Sequence, residues 1–154
     1  MARILFCACI FVLFAPRTRG EEFQVSLKYV TWEKKDKNGK EQYWAPTNAQ
    51  VLAALDVVAE SGKRTRVKAQ IGDRALEMKV SVRRSAGEEV CVNLVATSRH
   101  RTDIGEDVAE ASSTVDLTIG KCSQLSSLGE PDETGKVLTN AAFIIRITKP
   151  EHGH

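Results

Sequence analysis

Three histidines and four cysteines are all that 154 residues offer toward metal or thiol chemistry, and Cys7 and Cys9 fall within the first ten residues. The remaining pair, Cys91 and Cys122, has no neighbouring ligands to complete a tetrahedral zinc shell. Catalytic signatures are missing as well. No serine sits in a Gly-x-Ser-x-Gly turn, His100 has no recognisable partner series, and no glycine-rich loop is built to cradle a phosphate. Beyond residue 15 no apolar run approaches the ~20 residues that span a bilayer core. These absences argue against an enzyme, a metal site, a cofactor and an integral membrane segment in the mature chain.

The first twenty residues are of a different kind. Arg3 leads into the apolar run Ile4 to Ala15, which is followed by Thr18 and Gly20. A basic start, a short hydrophobic stretch and small residues before a cut describe a secretory signal peptide. Residues 1–20 are therefore expected to be removed before Glu21, giving a secreted or periplasmic protein. Cys7 and Cys9 lie too early for lipid attachment after cleavage. Losing Arg3, Arg17 and Arg19 from the 22 basic residues leaves 19 against 20 acidic ones. A near-neutral chain gives no basis for nucleic acid as a partner.

Residues 21–150 suit one domain large enough to bury its own core, with 151–154 expected as a disordered tail carrying His152 and His154. In an oxidising compartment the two surviving cysteines predict a Cys91–Cys122 disulfide, with two unpaired strand thiols as the alternative.

Period-two alternation dominates. Phe23, Val25, Leu27 and Tyr29 share one face of a strand, and Asn38-Gly39 supplies turn chemistry that would return the chain at Tyr43 and Trp44. Thr65 to Ile71, Leu76 to Val82, Val90 to Ala96, Val115 to Ile119 and Phe143 to Ile147 repeat the pattern, with turns at Gly72-Asp73 and Ser85 to Glu88. Ile144, on the opposite face from Phe143 and Ile145, suggests a strand covered on both sides. Residues 48–60 satisfy a helical stripe and a β-branched strand about equally. The expected fold is mostly β: one antiparallel sandwich or strongly bent sheet.

Two polar interruptions, 97–113 and 129–136, read as exposed connections, where binding residues concentrate. The first holds Arg99, His100, Arg101, Asp103, Glu106 and Asp107. The basic clusters at Arg64-Thr65-Arg66-Val67-Lys68 and Arg83-Arg84 read as solvated strand faces, with an acidic glycan as the sharper alternative. Trp32, Tyr43 and Trp44 admit cross-strand packing or carbohydrate stacking.

At this point the pattern resembles a known family, the secretins. Residues 51–67, Val-Leu-Ala-Ala-Leu-Asp-Val-Val-Ala-Glu-Ser-Gly-Lys-Arg-Thr-Arg-Val, are similar to a secretin stretch in which a Val-Leu-Ser-x-Pro start leads through a strand to a Gly turn and an Ala-x-Val strand. Leu76 to Arg83, the Gly87 turn and Val90 to Val95 resemble the following hairpin. Ser113 to Lys121 resembles a Thr-x-Val strand ending in a Gly-Gln type turn, and Ala142 to Pro150 the closing apolar strand.

The likeness covers residues 49–150 and favours a strand for 48–60. Leu55 stands where the family carries Pro, the usual Val-Pro pair is missing, and there is no room for pore-wall hairpins or the ring-forming domains that precede them. The resemblance thus implies a stand-alone, soluble secretin-like module with a structural or protein-binding role in a periplasmic or cell-surface assembly, and leaves room for oligomerisation. The rival readings are a ligand-binding or inhibitory sandwich acting through loop 97–113 and a metal-dependent hydrolase using His100.

Overall fold

The computed structural model describes residues 20–35, 38–131 and 137–150, with backbone only for 126–131 and 137–138. The expected signal peptide, the tail with His152 and His154, and residues 132–136 of the second interruption lie outside the described residues. Eight strands follow in chain order: β1 (Glu22–Glu33), β2 (Gln50–Glu60), β3 (Arg64–Ile71), β4 (Arg74–Arg84), β5 (Glu89–Thr102), β6 (Gly105–Thr118), β7 (Cys122–Pro131) and β8 (Val137–Thr148). They form two antiparallel four-stranded sheets, ordered β2-β1-β8-β7 and β3-β4-β5-β6, which are not closed into a barrel. This is the expected β-sandwich.

Nearly every pairing joins strands adjacent in sequence. The exception is β1 with β8, where Gln24 faces Thr148 and Glu33 faces Thr139. The chain changes sheet at Gly62 and again at Gly120, with φ of 78° and 87°. Both values lie in the left-handed region that only glycine adopts freely. The crossings are fastened by Gly62 N–H donating to Val82 O at 2.8 Å and Gly120 N–H donating to Ile147 O at 2.7 Å. An Arg84–Glu21 ion pair at 2.6 Å ties the first crossing from outside.

Alternation decides which side chains go inside. Phe23, Val25, Leu27 and Tyr29 of β1, Leu76 to Val82 of β4, Val90 to Ala96 of β5 and Phe143, Ile145 and Ile147 of β8 interleave as one core. The Tyr29 and Phe143 rings meet at 4.9 Å, and the Arg74 guanidinium lies 5.0 Å from the Tyr29 ring centre. Opposite-facing Val30, Trp32 and Ala142, with Ile144 beside them, pack against a second layer that includes Ala45 and Ala49. β8 is accordingly covered on both sides, as Ile144 suggests.

Of the segment 48–60, residues 50–60 form strand β2, as the resemblance favours, with a bulge where Val30 pairs Val51 after Tyr29 pairs Ala53. Two sequence expectations change. No strand returns at Tyr43 and Trp44, because β2 and β8 already occupy both edges of β1; beyond Asn38-Gly39 there is one isolated bridge, Lys35 to Glu41. Most consequentially, 97–113 is no loop. β5 and β6 remain paired from Glu89–Thr118 to Thr102–Gly105, leaving only Asp103 and Ile104 to turn the chain.

Candidate interaction surfaces

The six loop residues singled out by sequence are therefore placed on a hairpin. Arg99, Arg101, Asp103 and Glu106 line one cleft of about 780 Å³ with Lys68 and Asp73 on the outer side of the β3-β4-β5-β6 sheet. Arg99 Nη1 donates to Glu106 Oε2 at 3.2 Å. His100 is out of phase with them and meets Asp73 Oδ2 at 2.9 Å instead. That hydrogen bond from His100 holds the Asp73 carboxyl below its ordinary range. Within the cleft Arg99 and Glu106 thus answer each other across strands, and Asp73 is answered by His100. No group of three metal-ligating side chains occurs among the described residues.

Cys91 and Cys122 do not form the expected disulfide; both are free thiols. The reason is topological. Cys91 pairs with Arg83 and Asp116, on the outer face of its sheet, while Cys122 opposes Arg146 on the outer face of the other. Packed sheets lie ~10 Å apart, so side chains leaving opposite outer faces cannot reach the Cα separation below ~7 Å that a bridge requires. Labelling of the native mature chain without reductant should count two thiols, the exposed Cys122 reacting before the half-buried Cys91. A count of none would mean that the sheets rearrange.

The structure brings forward two features that sequence reading left apart. The first is the charge on the two free edges of the β3-β4-β5-β6 sheet. β3 carries Arg64, Arg66 and Lys68 and no acid, whereas β6 carries Glu106, Asp107, Glu110 and Asp116 and no base. The inward residues Thr65, Val67 and Ala69 of β3 are only half-buried, so this edge overhangs the opposing sheet. Within the sheet, Arg66 reaches Glu77 at 2.9 Å, and this hydrogen bond lowers the Glu77 carboxyl from its usual range. Tracing each segment's net charge would have revealed the opposition; that both segments are edges of one sheet needed the topology.

The second feature is the β1–β2 connection, a strap laid across the outer face of the β2-β1-β8-β7 sheet. Trp32 Nε1 and Asn140 Nδ2 both donate to Gln42 O, at 3.0 and 2.6 Å. Gln124 accepts from Ala45 N–H at 2.8 Å and donates to Tyr43 O at 3.0 Å. The pinned strap holds Trp44 outward at 73 % exposure, beside the exposed Tyr43. The Tyr43 hydroxyl donates to Glu41, which raises its pKa. Cross-strand packing thus accounts for neither aromatic.

No protein-family model matches the chain, and no curated protein matches it in sequence. Among solved structures, the secretin-domain β-barrel of InvG from the Salmonella injectisome aligns over 87 % of this chain and 64 % of its own, with a TM-score of 0.49 and 11 % identity. InvG in the open-gate state aligns over 87 % and 59 %, with a TM-score of 0.46 and 9 % identity. The fold weakly resembles a secretin domain. The chain spans less than two thirds of those secretin chains.

Proposed function

We propose that the chain is a structural module of an exported assembly, whose copies join side by side through β3 of one and β6 of the next. The observation that supports this is the opposite charge on the two free edges. Edge strands guarded against their own copies carry charges that repel; a basic edge and an acidic edge attract. Three successive antiparallel pairings separate β3 from β6, so a neighbour's β3 laid beside β6 continues the alternation.

Register supports the match. Lys68 lies level with Glu77, Thr97 and Glu110, and Arg64 with Ser81, Asn93 and Thr114. Unsheared pairing then sets Lys68 across from the neighbour's Glu110 and Arg64 diagonal to its Asp116. The half-buried Val67 and Ala69 would meet the neighbour's Ala109 and Ala111, extending both cores. Such a head-to-tail contact closes into a ring or propagates as a filament. The leader-like residues 1–20 place this assembly outside the cytoplasm in the proposal, and no catalytic step is assigned.

Light scattering coupled to size exclusion tests it. Wild type should be larger than a monomer at about 50 mM salt and dissociate toward monomer at about 500 mM, where edge charges are screened. Arg64→Glu, Arg66→Glu and Lys68→Glu combined should be monomeric throughout. Mixing that variant with Glu106→Lys, Glu110→Lys and Asp116→Lys combined should restore a larger species. A wild type that stays monomeric at both salts rules the proposal out.

A further inference from the structure

The groove beneath the strap is the surface that self-assembly through β3 and β6 leaves untouched. Val30, Val51 and Ile144 form its floor, and Trp44, Ala45 and Pro46 one wall, around about 440 Å³. Trp44 and Val51 are exposed there, and the half-buried Ala45, Pro46 and Ile144 continue the apolar surface over the buried Val30; apolar side chains gathered beside an outward-held tryptophan mark an interaction surface. Among the described residues Lys28 is the only charged side chain lining the groove. Its cross-strand neighbours are Ala54 and Ile144, and among the described residues it has no ion pair or hydrogen-bond partner.

We propose that this groove docks an extended apolar segment of another protein that carries one acidic side chain. The apolar floor and Trp44 take the hydrophobic residues, and Lys28 supplies the complementary charge at the groove's edge. Trp44 is the anchor, since its backbone is fixed between the fastened Tyr43 and Ala45 while its ring stands exposed to be covered. The strap needs no rearrangement to receive it, because Gln42, Tyr43 and Ala45 are already fastened to β1, β7 and β8. A sugar is the poorer fit. The Gln124 amide is spent on the strap at both ends, which leaves Thr47 and Ser123 as the other polar side chains lining the groove.

The inference is independent of self-assembly, since the groove and the β3 and β6 edges belong to different sheets. Its test uses the mature chain at about 500 mM salt for folding controls and about 100 mM for binding, with acetyl-Val-Leu-Val-Asp-amide as probe and its Asn counterpart as control. Amide chemical shifts followed by NMR should change saturably at Lys28, Val30, Ala45, Val51 and Ile144. Trp44→Ala should abolish those changes while preserving the thermal transition, as its side chain lies outside both buried clusters.

Lys28→Gln should weaken the Asp peptide about tenfold and leave the Asn peptide unchanged, because only the former loses a charge pair. No saturable shifts, shifts confined to other surfaces, or equal affinity for the two peptides would overturn the proposal. So would a neutral chito-oligosaccharide that shifts the same amides where the peptide does not, which would reassign the groove to glycan.

Discussion

Val92→Asp abolishes the folded domain. Val92 is fully buried on β5, paired with Val82 on one side and Val115 on the other. A carboxylate there has no cation or donor facing it from the core, and an unpaired buried charge costs several kcal/mol even after the protein relaxes. That is comparable to the whole stability of an ordinary domain, about 5 to 15 kcal/mol. Near-ultraviolet circular dichroism should lose its fine structure and a thermal scan its cooperative step. Asn93→Asp is the matched control: one residue along, its side chain faces outward and its amide meets Thr114 Oγ1 at 3.1 Å. It should shift the midpoint by less than ~3 °C. Retention of a cooperative transition by Val92→Asp would show that β5 is out of phase with the description above.

Replacing residues 101–110 with a Gly-Ser link is the second large effect. By composition this segment reads as a dispensable polar loop whose removal costs almost nothing. In the fold it removes the six pairings from Thr97–Glu110 to Thr102–Gly105 and leaves one side of the remaining β5 bare. Cross-strand pairs contribute roughly 0.2 to 1 kcal/mol each, so six of them amount to about 1 to 6 kcal/mol, near 3 at the middle of that range. The midpoint should fall by roughly 10 °C. Exchanging only Asp103-Ile104 for Asn-Gly, which leaves every pairing of the hairpin in place, should cost less than ~1 kcal/mol. An unchanged midpoint in the ten-residue replacement would restore the loop reading.

The sequence exposed the core more clearly than the connections. Wherever one face is apolar and the other polar, as from Leu76 to Arg83, burial follows alternation residue by residue. The signal fails when both faces are polar, because an outward charge and an edge position look alike in one dimension. That is why Arg99 to Glu110 reads as a loop, although pairing continues almost to the turn. β7 escaped notice for a related reason: the register shift between Gln124 and Ser126 breaks its period. Tyr43 and Trp44 misled in the opposite direction, since good turn chemistry at Asn38-Gly39 says nothing about whether a free strand edge awaits the returning chain. Of the candidate site residues, four fell into one cleft, but the edges and the strap groove depend on neighbours remote in sequence.

The two glycine crossings at Gly62 and Gly120 have an evolutionary consequence. Everything between them is one unbroken meander, entered and left at the same end of the sandwich, while Gly72-Asp73 and Asp103-Ile104 turn at the other end. Insertions at those tips lengthen paired strands without displacing either crossing. Residues gained in pairs on both arms keep every side chain on its present face; a single residue gained on one arm inverts all that follow or must be absorbed as a bulge. The meander is thus free to grow in steps of two, while the sheet that joins the chain's beginning to its end stays as it is.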